Sequence, residues 1–274
     1  MSERDRYPAG VPCWVETLQL DVQAALDFYG PVFGWDFTGP GSIPSKTPGD
    51  PPGQYFVGRL KGRDVAGVGA LPDRTQRPSW VTYIRVDNTE DVVKRTKHAG
   101  GRVLDGPVDA PPAGRLAVLA DPSGAVVCAW EAGTREGAQL VNEPSAWAMS
   151  TLHVADTEEA KAFYGTVFGW EPEQFGPVTL WRLPGYVGGE PTQPVPRDVV
   201  GVMAPIEAGA NGAAAQPRWS VDFWIDDADA AAVRAAALGG SVIVPPHDTP
   251  GFRSSVIADP QGAVFSISRL VRPH

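Results

Sequence analysis

The stretch FYGPVFGWDF at Phe28–Phe37 returns as FYGTVFGWEP at Phe163–Pro172. The echo spreads outward from both copies. ETLQLDVQAALDFYG aligns with TLHVADTEEAKAFYG, RPSWVTYIRVDN with QPRWSVDFWIDD, HAGGRV with ALGGSV, and LADPSGAVVCAW with IADPQGAVFSIS. The spacing between partners drifts by only a few residues, which places the insertions in loops. The chain is therefore a tandem duplication of a unit of roughly 130 residues. The polar stretch EAGTREGAQLVNEPSAW, containing Gly and Pro, joins the copies as a linker.

Each copy divides again. CWVETLQL alternates as a strand does, and Asp21 stands where a helix N-cap belongs. Ala24, Ala25, Phe28, Tyr29 and Val32 then fall on one helical face, and Gly34 can end the helix. Three short strands follow, and the order restarts at WVTYIRV. The pattern βαβββ occurs twice per copy. The expected boundaries are a first domain at 1–133 (modules about 12–72 and 79–132), a linker at 134–145, and a second domain at 146–274 (modules about 146–205 and 217–270). Two long Gly- and Pro-rich segments, 38–53 and 183–198, read as lids.

The 274 residues are 43% hydrophobic and 20% charged, which suits a globular chain with a substantial core. A net charge of −9 argues against nucleic acid as a partner. No apolar run suits a membrane span, and MSERDRYPAG does not read as a secretory signal, so the expected location is the cytoplasm. Cys13 and Cys128 have no metal-type spacing and read as buried thiols.

The pattern of an Asp, six residues, FYG and FGW after a first strand, with DPSGA before a last strand, resembles the vicinal oxygen chelate superfamily. Its members include glyoxalase I, extradiol dioxygenases and bleomycin-type resistance proteins. The likeness covers nearly the whole chain. It is strongest to tandem two-domain glyoxalase-like proteins, such as accessory and resistance proteins of aromatic polyketide pathways of the anthracycline type. The resemblance implies an α+β fold of four βαβββ modules. They form two tandem domains, each an incomplete mixed β-barrel around a cleft.

It also implies positions for a divalent metal's ligands. By register these are Trp14, Trp80 and Cys128 in the first domain and Met149, Trp219 and Ser266 in the second. None is a His, Asp or Glu, so neither a metal nor any other cofactor is expected. Strand alternation then gives the expected cleft linings. These are Trp14, Glu16, Trp80, Thr82, Cys128 and Trp130 in one domain, and Met149, Thr151, His153, Trp219, Phe223 and Ser266 in the other. Indole walls suit a flat aromatic ligand.

The expected function is metal-independent binding of an aromatic small molecule, an antibiotic-like product such as a planar polyketide, for sequestration, self-resistance or pathway support. The chain would act as a two-domain monomer or a homodimer, with no nucleic acid or membrane partner. The alternative is a metal-free enzyme of the same superfamily, acting as a lyase, isomerase or oxygenase-like catalyst with Glu16 or His153 as acid/base. A third alternative is a tandem interaction module with filled clefts.

Overall fold

The computed structural model describes residues 3–43, 51–188, 196–206 and 216–271. The first module holds β1 (Pro12–Gln19), α1 (Val22–Phe33), β2 (Asp36–Ile43), β3 (Gly53–Leu60) and β4 (Arg63–Ala70). The second holds β5 (Ser79–Arg85), α2 (Thr89–His98), β6 (Arg102–Ala110), β7 (Gly114–Ala120) and β8 (Val126–Ala132). The third holds β9 (Trp147–Val154), α3 (Thr157–Phe168), β10 (Glu171–Phe175), β11 (Val178–Arg182) and β12 (Val199–Pro205). The fourth holds β13 (Arg218–Trp224), α4 (Ala228–Ala237), β14 (Ser241–Thr249), β15 (Phe252–Ala258) and β16 (Val264–Leu270).

The helices begin where their caps dictate. Asp21, Asn88, Asp156 and Asp227 each accept a hydrogen bond from the backbone N–H three residues on. Each half forms an eight-stranded mixed sheet, in the orders β2-β3-β4-β1-β5-β8-β7-β6 and β10-β11-β12-β9-β13-β16-β15-β14. The two modules of a half join where β1 meets β5, and β9 meets β13, antiparallel. The chain is thus an α+β protein of two tandem domains.

The helices do not stay with their own halves. Phe33 of α1 lies 4.8 Å from Phe223 of β13, and Phe28 lies 6.3 Å from Phe265 of β16. The Tyr29 hydroxyl donates to Asp259 at 2.8 Å, and the matching Tyr164 hydroxyl donates to Asp121 at 3.1 Å. The repeated FYG string therefore clasps the repeated DP turn of the opposite half. The paired glycines serve the same clasp. A Cβ on Gly101 would stand 2.5 Å from Phe163, and one on Gly240 would stand 2.9 Å from Phe28.

Two sequence expectations change here. The segment at 38–53 is only partly a loop, because Thr38–Ile43 continues β2 and Gly53 opens β3; residues 44–50 lie outside the described ones. Of 183–198, residues 189–195 likewise lie outside them. The linker is no loose tether. Ala138, Leu140 and Val141 are buried, and the Ala138 and Gln139 amides donate to Cys13 and Asp64 carbonyls.

Candidate functional site: the helix-free faces of the two sheets

Side-chain alternation gives every strand two faces. On β5, Trp80, Thr82 and Ile84 turn towards the helices and the other sheet. The Trp80 indole N–H donates to the Tyr29 hydroxyl at 3.1 Å, and the Thr82 hydroxyl lies 2.8 Å from that of Ser150. On β13, Trp219 donates to the Tyr164 hydroxyl at 2.9 Å, and Phe223 packs 5.0 Å from Trp80. Trp80, Thr82, Trp219 and Phe223 are therefore core, not cleft walls. The tyrosine hydroxyls buried among rings need partners, and these indoles supply them. Trp80→Ala is expected to cost about 3–5 kcal/mol of stability by cavity formation, read by denaturant unfolding.

The opposite faces carry two matching rows. In the first sheet the register runs Trp14, Tyr83, Cys128, Val118 and Asp105 across β1, β5, β8, β7 and β6. In the second it runs Met149, Asp222, Ser266, Val256 and Val244 across β9, β13, β16, β15 and β14. Tyr83 and Asp222 hold the places that the sequence reading gave to Trp80 and Trp219. Each lies three residues further along its strand, on the other face.

The first row is shut. Trp14, Glu16, Tyr83, Cys128 and Trp130 are all at most 7% exposed. Glu16 accepts from the Tyr83 hydroxyl at 2.5 Å and from the Tyr55 hydroxyl at 2.9 Å, and the Trp14 indole donates to Tyr55 at 3.1 Å. Burial pushes the Glu16 carboxyl up, only partly offset by these donors. Burial also pushes the Cys128 thiol up, so it stays protonated. Tyr55 lies over β4 because Gly67 has no side chain; a Cβ there would stand 2.1 Å from the phenol oxygen. The Arg135 guanidinium covers Trp14 at 5.5 Å. Trp130 points its indole N–H to the Arg135 carbonyl at 2.9 Å.

The second row is open. Met149, Thr151, His153, Ser220, Asp222 and Ser266 are all half-buried, and Val244 and Val264 are exposed. His153 Nε2 lies 2.9 Å from the Ser220 hydroxyl. Burial, aided by Arg218, lowers its pKa to about 4, so the imidazole is neutral at pH 7. Asp222 accepts from the Ser268 hydroxyl at 2.6 Å, and Ser254 lies 3.2 Å from Ser268. Desolvation pushes the Asp222 carboxyl up to about 7 despite that bond. The sequence reading omitted Tyr55, Tyr83, Ser220 and Asp222 from its site residues. An Asp inside RWSVDFW was the available signal, since Trp, Val and Phe at alternate positions mark the core face.

Comparison with known proteins now fixes the family. The description "Glyoxalase/Bleomycin resistance protein/Dioxygenase superfamily" matches residues 18–129, and "Glyoxalase-like domain" matches 135–268. The chain belongs to this superfamily. CFP32 of Mycobacterium tuberculosis, named only provisionally as a glyoxylase, is 35% identical over 271 residues, covering 97% of each chain. The anthracycline biosynthesis protein DnrV of Streptomyces peucetius is 33% identical over 282 residues, covering 97% of this chain and 95% of that one. Among solved structures, the 2,3-dioxygenase LapB from Pseudomonas sp. KL28 shares the fold at a TM-score of 0.62 and 14% identity, covering 97% of this chain and 95% of that one.

Glyoxalase-superfamily enzymes with a divalent metal need several oxygen or imidazole donors aimed at one point. The rows here do not supply them. The first offers an indole, a phenol and a protonated thiol, with both oxygens of Glu16 already taken by tyrosines. The second offers a thioether, one carboxylate and a hydroxyl; His153 pairs with Arg218, four residues along β13 from Asp222. Among the described residues no three His, Cys, Asp or Glu side chains gather. This donor chemistry does not fit a divalent metal. No helix among the described residues is long and apolar enough to cross a membrane.

Proposed function

We propose that the helix-free face of the second sheet binds an aromatic or largely apolar small molecule, such as a planar polyketide, without a metal, for sequestration, self-resistance or pathway support. One observation carries the reading: the second row is open where the first is shut. On this face Met149, Val244, Val256 and Val264 are apolar, and Thr151, Ser220, Ser266 and Ser268 supply neutral donors and acceptors among them. Such a face removes apolar ligand area from water and orients it through a few polar groups. The relatives named for anthracycline biosynthesis support the ligand class.

Calorimetric titration with planar polyketides is expected to show one ligand per chain. Ser266→Trp, which fills the row, should weaken binding at least about tenfold, or 1.4 kcal/mol, while circular dichroism stays native. No heat with any such compound, or full affinity in the filled variant, would remove the reading.

One observation favours a second reading, metal-free acid–base turnover of the bound molecule. Half-buried Asp222 titrates near neutrality, which suits proton transfer better than walled-in Glu16 or neutral His153. Turnover would then survive chelators and vanish in Asp222→Asn.

A further inference from the structure

We infer that the ligand of the second cleft carries a protonated amine that pairs with Asp222; this rests on the binding reading above. The two sheets treat their cleft carboxylates differently. Glu16 has both oxygens satisfied by tyrosine hydroxyls. Asp222 has one bond, from Ser268 to Oδ1, and its Oδ2 accepts none from a described residue. Oδ2 is not fully enclosed either. No described cation pairs with Asp222. A carboxylate in a partly apolar cleft, reachable and without a counter-charge, is costly in the free protein. A ligand ammonium supplies both the missing charge and the missing donor.

The flanking residues carry no charge that competes for that pairing. Asp222 stands between Met149 of β9 and Ser266 of β16, with Ser268 beside it. The titratable or charged side chains on the same face are His153 of β9, Arg218 at the start of β13, His247 of β14, which sits opposite Ser254 of β15, and, on the far strands β10 and β11, Glu171, Glu173 and Arg182, the last ion-paired with Glu173 and Asp198. Arg218 is committed to the far end of the strand, opposite His153. Asp105, on the outermost strand of the first sheet, has an apolar counterpart in Val244, so Asp222 is the only carboxylate in the second row.

The test compares two probes, an aminomethyl-anthracene and its hydroxymethyl isostere, titrated against the full chain at about pH 6 and about pH 8, on either side of the Asp222 transition. Only the charged carboxylate pairs, so amine affinity should rise about tenfold with pH, while the isostere stays level. In Asp222→Asn the amine should lose both its pH dependence and its preference, with thermal unfolding confirming the fold. Equal binding of both probes by the unmodified chain would overturn the inference and leave the binding reading standing. Failure of both probes to bind would sink the two together. A pH dependence that persists in Asp222→Asn would assign it to a group other than Asp222 and also overturn the inference.

Discussion

Asp259→Ala is expected to lower the free energy of unfolding by about 4 kcal/mol, among the largest effects of any single change away from the clefts. The carboxylate is 3% exposed and has four donors. Oδ2 accepts from the Tyr29 hydroxyl at 2.8 Å and the Gln19 amide at 2.7 Å; Oδ1 accepts from the Gln261 and Ala263 backbone N–H groups at 2.9 Å each. Removing it strands three buried donors, those of Tyr29, Gln19 and Ala263, and the part-buried Gln261 N–H. Chemical denaturation checks the loss. The double variant with Tyr29→Phe separates the cross-half bond from the turn's own bonds, because the two changes share a partner. Its cost should fall short of the two single costs added by about 1–2 kcal/mol. Strict additivity would mean the Tyr29 bond contributes nothing. The matching Asp121 accepts from Tyr164, Ser123, Gly124 and Ala125, and Asp121→Ala should behave alike.

This clasp also explains what the sequence made legible. Duplication exposed the βαβββ modules because each half repeats its helix caps, its FYG helix and its DP turn. Trp14 and Met149 were found by counting back from Asp21 and Asp156, and they do stand in the two rows. Trp80 and Trp219 lie outside the rows because the superfamily register falls three residues further along β5 and β13, on Tyr83 and Asp222. Strand patterning pointed the same way. Trp219, Val221 and Phe223 alternate as a continuous apolar face, with Ser220 and Asp222 between them. Interior rings and cleft rings look identical in composition; what tells them apart is which face of the strand packs on the helices and the other sheet. The asymmetry of the two clefts was harder still. It depends on Tyr55 lying across Gly67, a contact between strands that no spacing along the chain encodes. Nor could periodicity show which sheet covers α1, because its apolar face is the same whichever half packs on it.

That last point leads to an expected result for the separated halves. Residues 1–133 alone should not hold a native fold, and adding the remainder should restore it. In the intact chain α1 presents Phe28, Tyr29 and Phe33 to Phe223 and Phe265 of the other half. Exposing three such side chains forfeits about 2 kcal/mol each, comparable with the whole stability of a small domain. Polar groups would be stranded too. The Trp35 indole N–H donates to the Ser145 carbonyl at 2.8 Å, and the Trp170 indole N–H donates to the Gly10 carbonyl at 2.7 Å. The Thr82 and Ser150 hydroxyls, 2.8 Å apart, bridge the two sheets. Each half thus completes the other's core, so the intact chain should melt in one transition with equal calorimetric and van't Hoff enthalpies. A well-dispersed amide spectrum from the isolated first half, or two resolved transitions in the whole chain, would show that the halves are independent and that the crossed tyrosine–aspartate clasps add little. The same coupling ties the first half to the second row: α1 packs Phe33 behind β13, the strand that carries Asp222 on its other face.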